Sequence, residues 1–123
     1  ARVMVGAGAL LFSQTAAAVE MFACMDTDRI GFDSSDNMAP AKFGLQKFIL
    51  KVDFENNRIL NEDLGFTERY SNCSDWKNNI FCENGLGAAI RFDKREYNFS
   101  FAYIPKKSPN EDPSLSYGPC EKY

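Results

Sequence analysis

The sequence predicts an all-β domain, an antiparallel meander of about seven or eight short strands closed as a small barrel or packed as a sandwich. Apolar and polar residues alternate with a period of two in several segments, which is typical of strands. No segment after residue 18 keeps a helical period over several turns. The chain has 123 residues and four cysteines, as expected for one small domain fastened by disulfides.

Residues 1–18 have the order of a secretory signal. Arg2 precedes an apolar run over residues 3–12, and small residues follow that run. Alanines at positions 16 and 18 satisfy the small-x-small rule, so we expect cleavage between Ala18 and Val19. The predicted localisation is therefore periplasmic or secreted.

The predicted domain then spans residues 19–123, but two alternatives to cleavage stay open. Residues 1–19, if retained, would tether the chain to a membrane, although a spanning helix needs about 20 apolar residues. Polar residues at positions 13–15 interrupt this apolar run. Attachment of a lipid to Cys24 is the other alternative, and it would leave an odd number of thiols.

The clearest strand in the first half of the domain is 47–54, because four apolar residues share one of its faces: Phe48, Leu50, Val52 and Phe54. Asparagines follow it in a turn, since asparagine tolerates left-handed backbone. The other elements predicted in this half are strands at 20–25, 30–33 and 58–62, a polar loop over 34–41 and a turn over 55–57.

The clearest strand in the second half is 96–104, with four aromatic residues on one face: Tyr97, Phe99, Phe101 and Tyr103. A polar turn joins it to a strand at 88–93 as a hairpin. The other elements predicted here are strands at 66–73 and 79–83, a single helical turn at 74–78 and a turn at 84–87. Residues 105–123 are rich in proline and are predicted to form an irregular tail.

Four cysteines allow three pairings, and the sequence alone does not choose among them. The pairing of Cys73 with Cys82 and of Cys24 with Cys120 is favoured. The first bond would close a local hairpin, and the second would join the start of the domain to its end. The rival is a zinc site, but the chain has no Cys-x-x-Cys spacing and no histidine. Neither a metal nor another cofactor is predicted.

Two function classes fit the composition poorly. Without histidine the chain has no Ser-His-Asp triad and no Cys-His pair, and no spacing singles out a catalytic pair among its 17 acidic residues. We therefore expect that the protein is not an enzyme. The net charge is −3 and the densest basic pair is Lys106-Lys107. Nucleic acid is not an expected partner, because phosphate binding needs clustered positive charge.

The acidic stretch over residues 26–37 has a partial likeness to a calcium loop. Asp26, Asp28 and Gly31 fit positions of the EF-hand loop, but Ile30 and Asn37 stand where further ligands are needed. No flanking helices are predicted either. The sequence therefore favours a solvated loop over a metal site.

Trp76 is the one residue outside the cysteines with a candidate role in binding. It lies in the loop that a Cys73–Cys82 bond would close, where it is either a binding anchor or a cap on the end of the barrel. Two glycosylation sequons also occur, at Asn72 and Asn98.

With Phe22-Ala23-Cys24 opening the domain, paired strands in its middle and Cys120 closing it, the chain resembles the small exported β-proteins of bacterial envelopes. In overall plan, over residues 20–123, it is similar to the periplasmic inhibitors of C-type lysozyme. That resemblance implies a small barrel with a disulfide joining its ends. The serine-glycine-tyrosine inhibitory loop of that group is missing, so no inhibitory residue is carried over.

Together these features predict an exported, non-catalytic binding module of the bacterial envelope, whose partner is a protein or another envelope component. Protein inhibition would be one form of such binding. The first alternative is an accessory structural subunit of a membrane-associated complex, tethered by residues 1–19. The second is a carrier of small apolar ligands inside the barrel. A membrane is an expected partner only if residues 1–19 are retained.

Overall fold

The computed structural model describes residues 19–106 and 110–123, so the predicted signal over 1–18 lies outside the described residues. The described part is all-β, as predicted, with ten strands and a short 3-10 helix at Ser34–Asp36. The strands are β1 (Val19–Met25), β2 (Asp28–Asp33), β3 (Ala39–Lys42), β4 (Lys47–Asp53), β5 (Arg58–Leu60), β6 (Asn72–Trp76), β7 (Asn79–Glu83), β8 (Ala88–Asp93), β9 (Asn98–Tyr103) and β10 (Ser114–Lys122).

Eight of these strands form an antiparallel sheet in the order β5-β4-β1-β10-β9-β8-β7-β6. The sheet curls until its end strands, β5 and β6, contact each other, so it is nearly closed as a barrel. The hydroxyl of Ser71 donates a hydrogen bond of 2.7 Å to the carbonyl of Ile59 across this seam. Of the two predicted architectures, the barrel is therefore the one that is formed.

The β2–β3 hairpin lies outside this closed path. β2 pairs with the first half of β10, from Ser114 to Tyr117, and β1 pairs with the last part of the same strand, from Cys120 to Lys122. The chain leaves the ladder between β1 and β2 at Asp26 and Thr27, where the N–H of Thr27 donates to the carbonyl of Tyr117 at 2.7 Å. The hairpin therefore extends the sheet beyond the barrel wall.

The barrel interior is filled by aromatic and aliphatic side chains. Phe22 lies at its centre, with its ring centroid 4.9 Å from that of Phe92 and 4.8 Å from that of Tyr97. The buried apolar residues are Phe22, Cys24, Leu50, Val52, Ile59, Phe66, Ile80, Cys82, Ala88, Ile90, Phe92, Phe99 and Cys120. The faces predicted for strands 47–54, 88–93 and 96–104 are therefore the faces that form the core.

The irregular tail predicted over 105–123 is wrong for its second half, because residues 114–122 form β10, a central strand of the barrel. The inward side chains of β10 are small and buried, namely Ser114, Ser116, Gly118 and Cys120. The large side chains Leu115 and Tyr117 point outward. This pattern is the inverse of an ordinary half-buried strand. The strand was therefore not predicted, because its large side chains are not on the buried face.

Three further predictions are wrong. Residues 66–71 are not a strand, because Phe66 bridges only to Asn61 and inserts into the core. Residues 74–78 do not form a helical turn, because 72–76 is strand β6. The polar loop predicted over 34–41 contains the start of β3, which tolerates Pro40 because β3 is an edge strand.

In two hairpins, an aspartate at the end of the first strand accepts hydrogen bonds from backbone N–H groups of the turn. Asp53 ends β4 and accepts hydrogen bonds from the next two turn N–H groups, at 3.1 and 3.0 Å. Asp93 ends β8 and accepts equivalent bonds at 2.8 and 3.0 Å. In Asp93 the bond from the backbone of Glu96 is the main cause of a lowered pKa. Burial raises the pKa of Asp53, but its hydrogen bonds outweigh burial and leave that pKa lowered as well.

Both disulfides that the sequence favoured are present, Cys24–Cys120 and Cys73–Cys82. Each joins directly opposed residues of neighbouring strands, β1 with β10 and β6 with β7. Two disulfides in so small a chain indicate an oxidising, extracytoplasmic environment. Within residues 19–106 and 110–123, no helix has the length and apolar character needed to cross a membrane.

Candidate ligand-binding face

The outward side of β6–β10 and β2 is one continuous surface, which we call the outer face. Because side chains alternate across a strand, the register of the sheet places its outward residues in rows that cross the strands. One row is Ser74, Phe81, Arg91, Ser100, Tyr117 and Asp28. The next row is Asn72, Glu83, Ala89, Ala102, Leu115, Ile30 and Lys42.

The outer face exposes large apolar side chains in two groups, one on β6 and β7 and the other on β10 and β2, with Arg91 and Ser100 between them. Trp76 is 60% exposed, Leu115 and Tyr117 are each 52% exposed, and Phe81 and Ile30 are also exposed. Within each group the apolar side chains are adjacent, and adjacent exposed apolar side chains on a small domain mark interaction sites, whereas single ones need no explanation.

Two adjoining cavities lie on this face, and together we call them the outer groove. One has a volume of about 670 Å³ and lies over β6–β10, between Phe81 and Leu115. The other has a volume of about 700 Å³ and lies over β2, β3, β9 and β10, between Phe32 and Ile104. Ala102 and Leu115 line both. Both are open to solvent along the outer face rather than enclosed by the barrel.

Small side chains line the middle of the outer groove. Ala89 and Ala102 are directly opposed on β8 and β9. Larger side chains stand in the flanking rows, with Phe81 and Tyr117 on one side and Ile104 on the other. The row of Ala89 and Ala102 continues into the exposed side chains of Leu115 and Ile30, so the methyl floor spans only β8 and β9.

Arg91 is the charged side chain of the row beside that floor, and its guanidinium is fixed by uncharged partners. Nη1 donates to Asn79 at 2.8 Å, and Nη2 donates to Asn98 at 3.0 Å and to Ser100 at 2.9 Å. Nε also donates to Ser100, at 3.3 Å. Among the described residues, no carboxylate lies within ion-pair distance of Arg91. The cavity over β6–β10 is therefore lined by a fixed cation without a direct ion pair and by the exposed carboxylate of Glu83.

Two ionisable groups near the outer groove, Asp93 and Tyr103, have shifted pKa values. After the hydrogen bonds of its own turn, the positive charge of Arg91 contributes to the lowered pKa of Asp93. Tyr103 lines the second cavity, and burial, followed by the nearby carboxylate of Glu111, raises the pKa of its phenol. The tyrosine therefore stays neutral, and Arg91 and the exposed Lys42 are the cations that line the outer groove.

Trp76, the predicted binding residue, lies at the end of β6 on the outer face. Its ring is exposed rather than packed over the end of the barrel, and the ammonium of Lys77 lies 4.6 Å from the ring centroid. The four cysteines are paired in the barrel wall and are not part of the outer groove's chemistry. Of the two sequons, Asn72 is exposed on the edge strand, whereas the amide of Asn98 is held by Arg91.

The acidic stretch over 26–37 does not gather its carboxylates. Asp26 is buried and accepts a hydrogen bond from the N–H of Gln46 at 2.9 Å, whereas Asp33 caps the 3-10 helix. In the described ranges 19–106 and 110–123, no three acidic or cysteine side chains lie close enough together to hold a metal ion.

The sequence did not identify Phe81, Arg91, Leu115 and Tyr117 as site residues. One signal places two of them: if Cys120 points inward, positions 118, 116 and 114 of a continuous strand also point inward, so Leu115 and Tyr117 point outward. The other two become neighbours only through the register of β7 with β8. No local pattern in the sequence specifies that register.

Comparison of the chain with protein families, with curated proteins and with solved structures finds no match.

Proposed function

We propose that this protein is an exported, non-catalytic binding module of the cell envelope, acting in the periplasm or outside the cell. The observation that carries the proposal is the outer face, where Trp76, Phe81, Leu115 and Tyr117 present apolar surface on a rigid sheet. A preformed surface of this kind binds without first ordering its own side chains and loops. Its partner is a protein or another envelope component.

Two further features support a binding role. The chain has no histidine and all four cysteines are in disulfides, so neither an imidazole base nor a thiolate nucleophile is present. The barrel interior is filled by buried side chains such as Phe22 and Phe92. Binding is therefore assigned to the outer face, and the interior carrier considered from the sequence is replaced by a surface site.

The test compares two leucines of nearly equal exposure. Leu115 is 52% exposed on the outer face, and Leu45 is 54% exposed in the loop before β4. The full chain is recovered from its own envelope under gentle conditions, and the bound material is identified by native mass spectrometry. We expect Leu115→Thr to lose that material and Leu45→Thr to keep it.

Both variants must melt within a few degrees of the wild type, because exposed substitutions change stability little. Equal loss of bound material in both variants, or a wild type that carries nothing, would contradict the proposed function. A partner that depends on Leu45 alone would move the binding surface to the loop before β4.

A further inference from the structure

The proposed function leaves open which chemical class the outer face accepts, and the inference that follows rests on that function. Four half-buried polar side chains, Asn79, Arg91, Asn98 and Ser100, lie together on β7, β8 and β9, and we call them the polar band. We propose that the polar band binds an uncharged glycan, a linear oligosaccharide of pyranose units. Hydroxyls of the glycan bond to the polar band, and its sugar rings pack on the aromatic side chains at either side.

The polar band is rigid because one guanidinium holds its other members. Arg91 donates to Asn79 at 2.8 Å, to Asn98 at 3.0 Å and to Ser100 at 2.9 Å. These partners lie beyond Arg91 from the Ala89–Ala102 row or beside it, so the guanidinium belongs to the polar band. A site whose side chains are already fixed loses less entropy when a ligand binds.

The hydrogen bonds within the polar band leave several donors free. A guanidinium only donates, so Asn79 and Asn98 turn their amide oxygens toward Arg91 and their amide nitrogens away from it. Those two amide nitrogens and the hydroxyl hydrogen of Ser100 have no acceptor among the described residues. The matching ligand therefore offers several acceptor oxygens along its length, as the hydroxyls of a glycan do.

The charges around the polar band favour an uncharged glycan over an acidic one. Asp93 lies on the same strand as Arg91, between Asn79 and Asn98 in register, and Asp28 lies in the row of Arg91 on β2. Two carboxylates on the same surface as one guanidinium give no excess of positive charge. A ligand carboxylate would gain little attraction here, whereas a hydroxyl has no charge to be repelled.

Exposed aromatic side chains lie on both sides of the polar band. Trp76 is paired with Asn79 on one side, and Tyr117 is paired with Ser100 on the other. A third cavity, of about 470 Å³, lies between Tyr117 and the polar band. From β6 to β10 there are four strand spacings, about 19 Å at about 4.8 Å each, which is the length of several sugar rings. The apolar C–H face of a sugar ring packs on an aromatic ring and leaves its hydroxyls free to bond.

The order of polar and apolar groups distinguishes a glycan from a protein partner. A protein–protein interface has an apolar core surrounded by a polar rim. Here the order is reversed, since Arg91 and its partners lie at the centre and Trp76 and Tyr117 lie at the sides. The apolar core of a protein placed on this centre would remove water from the free donors without replacing its hydrogen bonds, which is costly. A glycan replaces those bonds.

The experiment is a titration of the full, oxidised chain with three neutral sugars, namely cellotetraose, maltotetraose and tetraacetylchitotetraose. Trp76 is the single tryptophan of the chain and is exposed, so its fluorescence reports on this surface. We expect at least one sugar to shift the emission to shorter wavelength and to protect Trp76 from quenching by acrylamide, with saturation. No saturable change with any of the three sugars would overturn the inference.

A tyrosine on the surface and a tyrosine away from it provide a matched pair of variants. Tyr117→Ala should weaken sugar binding about tenfold, because a sugar ring loses its aromatic partner. Tyr123 is also exposed, but it lies next to β1, where its N–H donates to the carbonyl of Met21 at 2.8 Å. Tyr123→Ala should therefore change the affinity by less than about twofold, as expected for an exposed residue without a role. Equal weakening in the two variants would refute the assignment to the polar band.

Asn98→Asp tests the free donors without releasing Arg91. The new carboxylate still accepts the hydrogen bond from Arg91, but an oxygen replaces the amide nitrogen that faces the ligand. We expect the sugar affinity to fall about fivefold, the effect of one neutral hydrogen bond. The melting temperature should stay within a few degrees of the wild type, because the bond to Arg91 is kept. Undiminished sugar binding by Asn98→Asp would overturn the role of the polar band.

The outcomes separate this inference from the proposed function. If no sugar binds while Leu115→Thr still loses the native partner, the glycan is wrong and the binding module stands. If the sugars bind as expected and the native partner is insensitive to Leu115→Thr, the proposed function fails at Leu115 and the glycan site stands. A native partner that is a protein, is lost in Tyr117→Ala and is not displaced by any of the sugars would assign the surface to a protein and overturn the inference.

Discussion

The two disulfides should differ in their contribution to stability, because they close loops of very different length. Cys24 and Cys120 are 96 residues apart, and Cys73 and Cys82 are 9 apart. In the chain-entropy model, the long loop contributes about 4.7 kcal/mol and the short loop about 2.6 kcal/mol at 25 °C. The variant Cys24→Ala/Cys120→Ala should therefore lose about 2 kcal/mol more than Cys73→Ala/Cys82→Ala.

The burial of the cysteines also predicts a larger loss of stability when the Cys24–Cys120 bond is removed. Cys24 and Cys120 are both buried, whereas Cys73 is half-buried, so removal of the first pair also leaves the larger void. A domain of this size has a total stability of roughly 5–15 kcal/mol. Loss of the long bond therefore removes a large share of it, and the variant should begin to unfold near physiological temperature.

The assay is urea denaturation of the wild type and both variants at 15 °C, followed by circular dichroism. Tryptophan fluorescence is a poor probe here, because Trp76 is already exposed in the folded state. The dependence of unfolding free energy on urea should also steepen most in Cys24→Ala/Cys120→Ala, since its unfolded chain is the most expanded. Equal losses in the two variants, or a larger loss from the short loop, would refute the loop-length reasoning.

Two other changes test particular contacts. A Cβ at Gly118 would lie 1.9 Å from the carbonyl oxygen of Met25, so Gly118→Ala must push β10 away from β1 and should lower the melting temperature strongly. Gly44→Ala is its control, because no atom lies within 4 Å of the added methyl, and an equal effect of the two would count against the contact. Asp53 and Asp93 have folded pKa values below their ordinary 3.8, so the stability that they contribute is present above that pH and is lost as the pH falls through the folded values. Asp53→Asn/Asp93→Asn should therefore lose less unfolding free energy between pH 6 and pH 2 than the wild type, and an unchanged acid dependence in denaturation curves would contradict this.

Hydrophobic periodicity was sufficient for strands whose large side chains point inward. In β4, β8 and β9 the alternation of phenylalanine, leucine and isoleucine with polar residues predicted both the strand and its buried face. The turns after β4 and β8 could also be predicted, because asparagine or charged residues follow Asp53 and Asp93 at the ends of these strands. These are short-range features, and short-range sequence specifies them.

The remaining strands depend on partners that are distant in the chain. β6 is a strand because β7 pairs with it and a disulfide joins Cys73 to Cys82, although its own residues are polar. β3 exists because β2 pairs with it, despite Pro40. Of the candidate site, only Trp76 was visible, because a lone exposed aromatic can be noticed locally. The hydrogen bonds of Arg91 could not be predicted from the sequence, because they depend on the register of β7, β8 and β9.

The inverted pattern of β10 connects the fold to the proposed function. Its inward positions take serine, glycine and cysteine because the aromatic rings of other strands already fill the interior. That accounts for the small residues inside, but it does not require Leu115 and Tyr117 outside, where threonine would suit a strand equally well. Departures from the expected pattern are concentrated at functional sites. If Leu115 and Tyr117 serve binding, Leu115→Thr/Tyr117→Thr should change the unfolding free energy by only about 0.5 kcal/mol and abolish ligand binding. If they serve the fold instead, the same variant will lose stability and keep its ligand.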